Sequence, residues 1–142
     1  MYVSFDIDGV LVDASRRLSI CADGERVNWD CFLDCGKLRL DRPKAHNLAL
    51  MRRLAGRASV IVVTGRPEHM RECTEEQLRR YGAVFERLFM RPEGDRRPDP
   101  LYKAEAFTRL SALGIVVAVH FEDNEETAKA LRSLGLDVVL SS

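Results

Sequence analysis

The sequence lacks a net charge and long apolar runs, and each absence excludes a class of protein. Lys and Arg together number 22, as do Asp and Glu. No overall field therefore draws the protein to nucleic acid or to a membrane, although a local basic groove is not excluded. No apolar run approaches the roughly 20 residues that cross a bilayer, and no signal peptide precedes Phe5. We therefore expect a cytoplasmic protein.

Cysteine is scarce, with four residues in the chain: Cys21, Cys31, Cys35 and Cys73. Cys31 and Cys35 have the spacing of half a zinc site, but no second pair of Cys or His residues lies at matching spacing. The three histidines are scattered along the chain. We therefore expect free or buried thiols, with disulfides as the alternative mainly in a protein from a hyperthermophile.

The length and the pattern of apolar residues predict a single α/β domain over residues 1–142. β-branched runs alternate with segments of helical periodicity, which is typical of three layers around a central parallel sheet. The predicted strands are 2–6, 59–63, 85–90, 115–121 and 137–140. The predicted helices are 43–55, a segment from Pro67 to about Tyr81, 101–113 and 125–134. A small flap and insertion occupy about 10–42, with a hairpin predicted at 10–20 and a turn at Asp23-Gly24.

Two acids follow the first predicted strand, in the run Phe5-Asp6-Ile7-Asp8-Gly9. Carboxylates at the mouth of a buried strand are costly to hold there unless a cation meets them. In an open α/β sheet that mouth is the carboxyl end of a strand, where ligands bind. The sequence therefore predicts a metal-assisted site at Asp6 and Asp8.

Three further polar features stand at predicted element boundaries: Thr64-Gly65-Arg66, Lys103 and Glu122-Asp123. Because the carboxyl ends of parallel strands share one edge, we expect these features to converge there. Acids, a hydroxyl, a loop amide and a lysine suit a magnesium ion and a phosphoryl group. Each feature alone also fits a plainer role, such as a turn, a helix N-cap or a solvated lysine. Their joint order favours a catalytic site.

The segments FDIDGVLVD, VVTGR, LYKAEAF and HFEDN resemble the four motifs of the haloacid dehalogenase (HAD) superfamily of phosphohydrolases. The resemblance covers nearly the whole chain and implies a Rossmann-like fold with little or no cap. It implies that Asp6 forms an aspartyl-phosphate and that Asp8 is the general acid and base, whose pKa we expect to be raised. It also implies that Thr64 and Gly65 hold phosphoryl oxygens and that Lys103 neutralises their charge.

The same resemblance implies Mg²⁺ as cofactor, held by Asp6, Asp8, Glu122 and Asp123. Many relatives carry Asp-Asp or Gly-Asp where this chain has Glu122-Asp123. Of these two residues we favour Asp123 as the direct ligand, because a short side chain at a helix start suits the rigid octahedral geometry of magnesium.

The short spacing between the motifs leaves no room for a large cap, so we expect an open site and large substrates. More narrowly, the segments VVTGRPE and MRPEGDRRPDPLYKAE resemble the 3′-phosphatase domain of phage and bacterial polynucleotide kinases. The Gly-x-x-x-x-Gly-Lys-Ser/Thr motif of a kinase module does not occur. The resemblance implies a phosphate ester partner, either a nucleic-acid 3′ end or a nucleotide.

Several alternatives stay open at this point. Arg66 and Arg91 are predicted to bind substrate phosphates, or are loop arginines balanced by nearby acids. Trp29 and Phe32 form either a platform for a terminal base or, as we favour, a small core under a loop. The chain is a polynucleotide 3′-phosphatase, a nucleotidase or other small-molecule phosphatase, or, least favoured, a non-catalytic binding module of the same fold.

Overall fold

The computed structural model describes residues 1–141. The strands are β1 (Tyr2–Phe5), β2 (Val12–Asp13), β3 (Ala22–Asp23), β4 (Arg26–Val27), β5 (Arg42–Pro43), β6 (Ser59–Pro67), β7 (Arg87–Arg91), β8 (Val117–Glu122) and β9 (Asp137–Leu140). The α-helices are α1 (Ser15–Ile20), α2 (Trp29–Phe32), α3 (Ala45–Leu54), α4 (Arg71–Arg80), α5 (Asp99–Ala112) and α6 (Glu125–Ser133). Two 3₁₀ helices cover Cys35–Leu40 and Glu68–Met70.

Five strands form a central parallel sheet in the order β7-β6-β1-β8-β9. The chain moves outward from β1 through β6 to β7, then returns to the other side of β1 with β8. This change of direction makes the carboxyl ends of β1 and β8 a topological switch point, where α/β sheets bind ligands. The predicted parallel sheet and α/β class are confirmed.

Apolar side chains on the two faces of the sheet form separate cores. Along β6, Val60 and Val62 belong to one cluster and Ile61 and Val63 to the other, as expected of a strand buried on both faces. Helices α3 and α4 cover the first face, and α5 and α6 cover the second. The three predicted layers are therefore present. Over residues 1–141 the helices are too short or too polar to cross a membrane.

The segment of residues 10–42, which we call the insertion, differs in detail from its prediction. The predicted hairpin at 10–20 is wrong, because β2 pairs instead with the distant β5 and is followed by α1. The hairpin lies later, between β3 and β4, around the predicted turn at Gly24. The proline expected to open a helix lies in β5, and α3 begins at Ala45.

The expectation of free thiols is also wrong. Cys21 bonds to Cys31 within the insertion, and Cys35 bonds to Cys73, which ties the insertion to α4. These bonds leave no cysteine thiolate for zinc. The first bond lies beside a small apolar cluster that contains Phe32, so this ring is core, as favoured, while the indole of Trp29 is 57% exposed and meets Phe32 edge-on. The insertion is thus held by this small cluster, by Val10, Leu11, Val12 and Leu38, which pack in the core of the first sheet face, and by the two disulfides.

Candidate active site

The pairing of β1 with β8 sets Asp6 beside Glu122. Phe5 is in register with Phe121, their rings stack 4.5 Å apart, and the Asp6 amide donates to the Phe121 carbonyl at 3.0 Å. Ile7 enters the core cluster, whereas Asp6 on one side of it and Asp8 on the other contact polar groups. The expected convergence of the first and fourth motifs is therefore present at the backbone level.

Four carboxylates surround one ammonium at this edge. Candidate ligand oxygens of Asp6, Glu122 and Asp123 lie within 4.8 Å of one another. The Lys103 Nζ lies 2.7 Å from Glu122, 2.9 Å from Asp6 and 3.3 Å from Asp99. We call these five residues the acidic cluster. Its formal charges sum to an excess of negative charge, which a cation would offset.

The pKa values in the acidic cluster reflect that excess. Burial, and then the charge of Glu122, raise the pKa of Asp6 well above its ordinary value. The same two causes raise the pKa of Asp123 to about 6. Burial alone would lower the pKa of Lys103, but the carboxylates around it, led by that of Asp6, raise it well above its ordinary value. The ammonium is therefore charged at neutral pH, while Asp6 and Asp123 resist ionisation.

The two acids of the fourth motif have different surroundings. Glu122 is fully buried, accepts hydrogen bonds from Lys103 and from the backbone amides of Asp123 and Asn124, and lies 3.1 Å from His120 Nε2. Despite burial, Lys103 and His120 lower its pKa. Asp123 is exposed and has fewer protein contacts. The preference for Asp123 as the direct metal ligand stays a prediction.

Gly9 brings the first and fourth motifs together. Its φ of +86° lies in the left-handed region that favours glycine. A Cβ at this position would also overlap the carboxylate of Asp123. Gly9 therefore does more than form a turn, because its lack of a side chain lets the backbone after Asp8 approach Asp123.

Asp8 belongs to a second group that is balanced in charge. Its Oδ1 accepts hydrogen bonds from Arg17 at 2.6 Å and Arg66 at 2.8 Å, and its Oδ2 accepts from Arg66 at 3.2 Å. Both arginines also approach the buried Asp41. We call these four residues the arginine cluster. Asp8 was predicted to bind the metal together with Asp6, Glu122 and Asp123. In the structure it lies outside the group that these three carboxylates form.

The expected rise in the pKa of Asp8 is wrong. Burial alone would raise it, but the charges and hydrogen bonds of Arg66 and Arg17 lower the pKa to about 2. Sequence reasoning missed Arg17, because it lies in the short helix α1, where a hairpin was predicted, and has no motif of its own. It also missed Asp99, although its position four residues before Lys103 on one helix face is a usable signal.

The second motif contributes polar groups near both clusters. Thr64 is buried, and its Oγ1 accepts a hydrogen bond from the Arg66 amide at 3.1 Å. At Gly65 a Cβ would approach the Asp99 Oδ1 to 2.8 Å, so a side chain there would displace the Asp99 carboxylate. Arg91 donates to the Gly65 carbonyl at 3.1 Å.

The contacts of the two predicted phosphate-binding arginines are internal. Arg66 is 1% exposed and donates to Thr74 as well as to Asp8. Arg91 contacts Asp99 and the Arg97 carbonyl and covers the ring of Tyr102. These guanidiniums position protein groups, which differs from the open phosphate contacts expected of them.

The donor chemistry of the acidic cluster fits a hard divalent cation. Asp6, Glu122 and Asp123 offer only carboxylate oxygens, which are the ligands that magnesium prefers. No sulfur or imidazole ligand stands in this group of three.

The description "Polynucleotide kinase PNKP phosphatase domain" belongs to a family model that matches residues 1–140. Comparison with curated proteins gives no match. Among solved structures, a chain of the Pnkp1/Rnl/Hen1 RNA repair complex is similar over 98% of this chain and 42% of its own length, with 22% identity and a TM-score of 0.77. A second structure of the Pnkp1/Rnl/Hen1 complex gives 24% identity and a TM-score of 0.72, with 98% of this chain and 44% of the other covered. This chain therefore spans less than half the length of those proteins.

Two further similar structures carry the same fold. A haloacid dehalogenase-like hydrolase from Streptococcus pneumoniae has 11% identity and a TM-score of 0.70, with 98% of this chain and 83% of the other covered. A class C acid phosphatase from Bacillus anthracis, solved with tungstate bound, has 13% identity and a TM-score of 0.65 over 99% of this chain and 65% of the other. With the family match over nearly the whole sequence, the chain belongs to the PNKP phosphatase-domain family of HAD phosphatases.

Proposed function

We propose that the protein is a Mg²⁺-dependent polynucleotide 3′-phosphatase that acts through an aspartyl-phosphate on Asp6. The observation that carries the proposal is the contrast around the first motif. Asp6 lies against Lys103 in a cluster with excess negative charge, whereas Asp8 is held outside it by two arginines. A nucleophile and an acid/base of the same residue type need such different surroundings.

In the first step an Asp6 carboxylate oxygen bonds to phosphorus and the ester P–O bond breaks. The leaving oxygen takes a proton from Asp8. In the second step water attacks the phosphorus, Asp8 takes the proton of that water, and inorganic phosphate and the free Asp6 carboxylate result. Lys103 lies 2.9 Å from Asp6 and would counter the charge of the phosphoryl oxygens.

Magnesium would be held by Asp6 and Asp123, with Glu122 beside them. Its charge would offset the repulsion between the Asp6 carboxylate and a phosphate dianion. This assignment agrees with the raised pKa of Asp6 and of Asp123, because a nearby cation favours the ionised form of each.

Asp8 suits the role of base directly, since its pKa of about 2 keeps it ionised at neutral pH. Its role as acid requires a proton, and the negative charge of an incoming phosphate favours one by raising the pKa of this carboxyl. Thr64 and Gly65 would hold phosphoryl oxygens. The Thr64 Oγ1 accepts a hydrogen bond from Arg66, so its own hydrogen is available to donate.

A polynucleotide 3′ end is the proposed substrate because of the family match and because residues 1–141 include no cap domain beyond the short elements of the insertion. The RNA repair complexes that contain similar chains agree with this class. The arginines of the loop after β7 add little to the argument, since Arg97 is paired with Asp95 and Glu105.

The proposal is tested by measuring phosphate release from a 3′-phosphorylated oligonucleotide and from the matching 3′-mononucleotide, each with Mg²⁺ and with a chelator. We expect a higher kcat/KM for the oligonucleotide and no turnover after chelation. A higher value for the mononucleotide would instead identify a nucleotidase. Failure to hydrolyse these and other phosphate esters in a well-folded sample would contradict phosphatase activity altogether.

A further inference from the structure

Asp41 lies behind the two arginines that hold Asp8, at a distance from the acidic cluster. It follows the 3₁₀ helix Cys35–Leu40, and its side chain is fully buried. Its Oδ1 accepts from Arg17 Nε at 3.0 Å, and its Oδ2 accepts from an Arg17 terminal nitrogen at 2.9 Å and from Gln77 Nε2 at 2.8 Å. A fully buried carboxylate with this many donors has a fixed orientation.

The two oxygens of Asp41 fix the plane of the Arg17 guanidinium. Paired side-on contacts of this kind define both the position and the direction of the fork. The second terminal nitrogen donates to the Phe32 carbonyl at 2.9 Å, and the Phe32 ring lies 4.2 Å from the guanidinium carbon. Asp41 and Phe32 thus hold the guanidinium from two sides. The terminal nitrogen that donates to the Asp41 Oδ2 also donates to Asp8.

Arg66 is supported in a similar way. Its terminal nitrogen lies 2.8 Å from the Asp8 Oδ1 and 3.7 Å from the Asp41 Oδ2, and its other terminal nitrogen donates to Thr74 at 3.1 Å. Two carboxylates and two guanidiniums therefore alternate in one buried group. Removing Asp41 would leave two buried cations facing Asp8 alone, which is an unfavourable arrangement.

We propose that Asp41 is a positioning residue for the reaction: it orients Arg17 and Arg66 so that both hold the Asp8 carboxylate in its reactive place. The proposal rests on the proposed function for the role of Asp8. Asp41 has no hydrogen bond or ion pair with Asp8 among residues 1–141, so its effect passes through the arginines.

The kinetic test uses Asp41→Asn, which keeps the size of the side chain and removes its charge. With p-nitrophenyl phosphate and Mg²⁺ we expect kcat to fall about 10- to 100-fold, the range for a small misplacement of a reacting group. KM should change little, because Arg17 and Arg66 are almost fully buried and donate to protein oxygens. Asp34→Asn is the matched control, since Asp34 lies in the same insertion, is exposed and caps the 3₁₀ helix by a contact that Asn also makes.

A double-mutant comparison separates positioning from general loss of structure. In an Arg17→Met background the further change Asp41→Asn should lower kcat much less than it does in the wild type, because its main partner is already absent. Equal losses in the two backgrounds would contradict the proposal. If Asp41→Asn does not fold, Gln77→Met removes one donor to Asp41 and should lower kcat in the same direction by a smaller factor.

A readout without turnover distinguishes this proposal from the proposed function. The Nε–H protons of Arg17 and Arg66 are both buried donors, to Asp41 and to Asp8 respectively. Hydrogen exchange followed by NMR should show both protected in the wild type and both exchanging faster in Asp41→Asn. Unchanged exchange at Arg66 would overturn the positioning role, even if the wild type is active. Faster exchange at both, in a protein without phosphatase activity, would support the positioning of Asp8 and contradict only the proposed function.

Discussion

Asp6 and Asp8 are separated by one residue, but the groups around them differ in charge. In the acidic cluster four carboxylates face the single ammonium of Lys103, and the pKa of Asp6 is raised. In the arginine cluster two carboxylates face two guanidiniums, and the pKa of Asp8 falls to about 2. Residue type and position in the sequence are nearly the same, so the surroundings alone produce the difference.

The comparison shows that one half of the site has an excess of negative charge and the other is balanced. The acidic cluster holds more negative charge than Lys103 offsets, so it has a use for a divalent ion. The arginine cluster is balanced by its own side chains. A metal would therefore bind on the Asp6 side without competition from Asp8, and Asp8 keeps a position from which it can exchange protons.

The two clusters also differ in what supports them. Asp6 and Glu122 lie at the ends of paired strands in the middle of the sheet, and Lys103 lies on a long helix. Arg17 and Asp41 lie in the insertion, whose elements are short and which carries two disulfides, one of them to α4. The acidic cluster is thus set mainly by sheet register, whereas the arginine cluster joins Asp8 and Arg66 at the sheet edge to two residues of the insertion.

The largest expected effect comes from Asp6→Asn. We expect kcat to fall by more than roughly 10³-fold, because under the proposed function the variant would lose the attacking carboxylate and a metal ligand together. The free energy of unfolding without metal should not fall, because the raised pKa of Asp6 means that folding disfavours its charge. Steady-state turnover and urea unfolding check the two parts, with Asp137→Asn on the exposed start of β9 as control. Residual activity near that of the wild type would contradict the nucleophile assignment.

The next effect tests the two disulfides of the insertion. The bond between Cys35 and Cys73 spans 38 residues, and that between Cys21 and Cys31 spans 10. Replacing both cysteines of the longer link by Ala should lower the free energy of unfolding by about 3–4 kcal/mol, and of the shorter link by about 2–3 kcal/mol, from the entropy of the unfolded chain.

Urea unfolding of both double variants, beside the wild type with and without a thiol reductant, measures these losses. The wild type with reductant should be less stable than either variant, because the reductant breaks both bonds. Equal stability of all samples would show that the insertion does not depend on its disulfides.

The acidic cluster could largely be predicted from sequence, because its members follow strands and the ends of parallel strands share an edge. Asp6, Lys103, Glu122 and Asp123 were all expected to converge, and they do. Buried β-branched runs such as Val60–Val63 identified the sheet for the same reason: their pattern depends on local geometry.

Only half of the arginine cluster could be predicted. Asp8 and Arg66 were expected at the same sheet edge, but Arg17 and Asp41 come from short elements of the insertion without a periodic pattern. Arg17 comes from a six-residue helix, and Asp41 from the end of a 3₁₀ helix. The disulfides depend on distances between these same elements. The hydrogen bonds that Arg17 and Arg66 donate to Asp8 were not predicted. For that reason the pKa of Asp8 was expected to be raised, whereas it is lowered.

The smallest expected effect is on the stability of Asp8→Asn, and its direction differs from that expected for Asp6→Asn. Without metal at neutral pH, the free energy of unfolding should fall by about 2 kcal/mol, which corresponds to the lowering of the Asp8 pKa from 3.8 to about 2. A lowered folded pKa stabilises above the unfolded pKa, and this contribution is lost as the pH falls toward 2. The difference between wild type and Asp8→Asn in urea unfolding should therefore be present at pH 7 and shrink between pH 4 and pH 2. Since Asp6→Asn should show no loss at pH 7, a similar loss in both variants would mean that the two carboxylates share one environment.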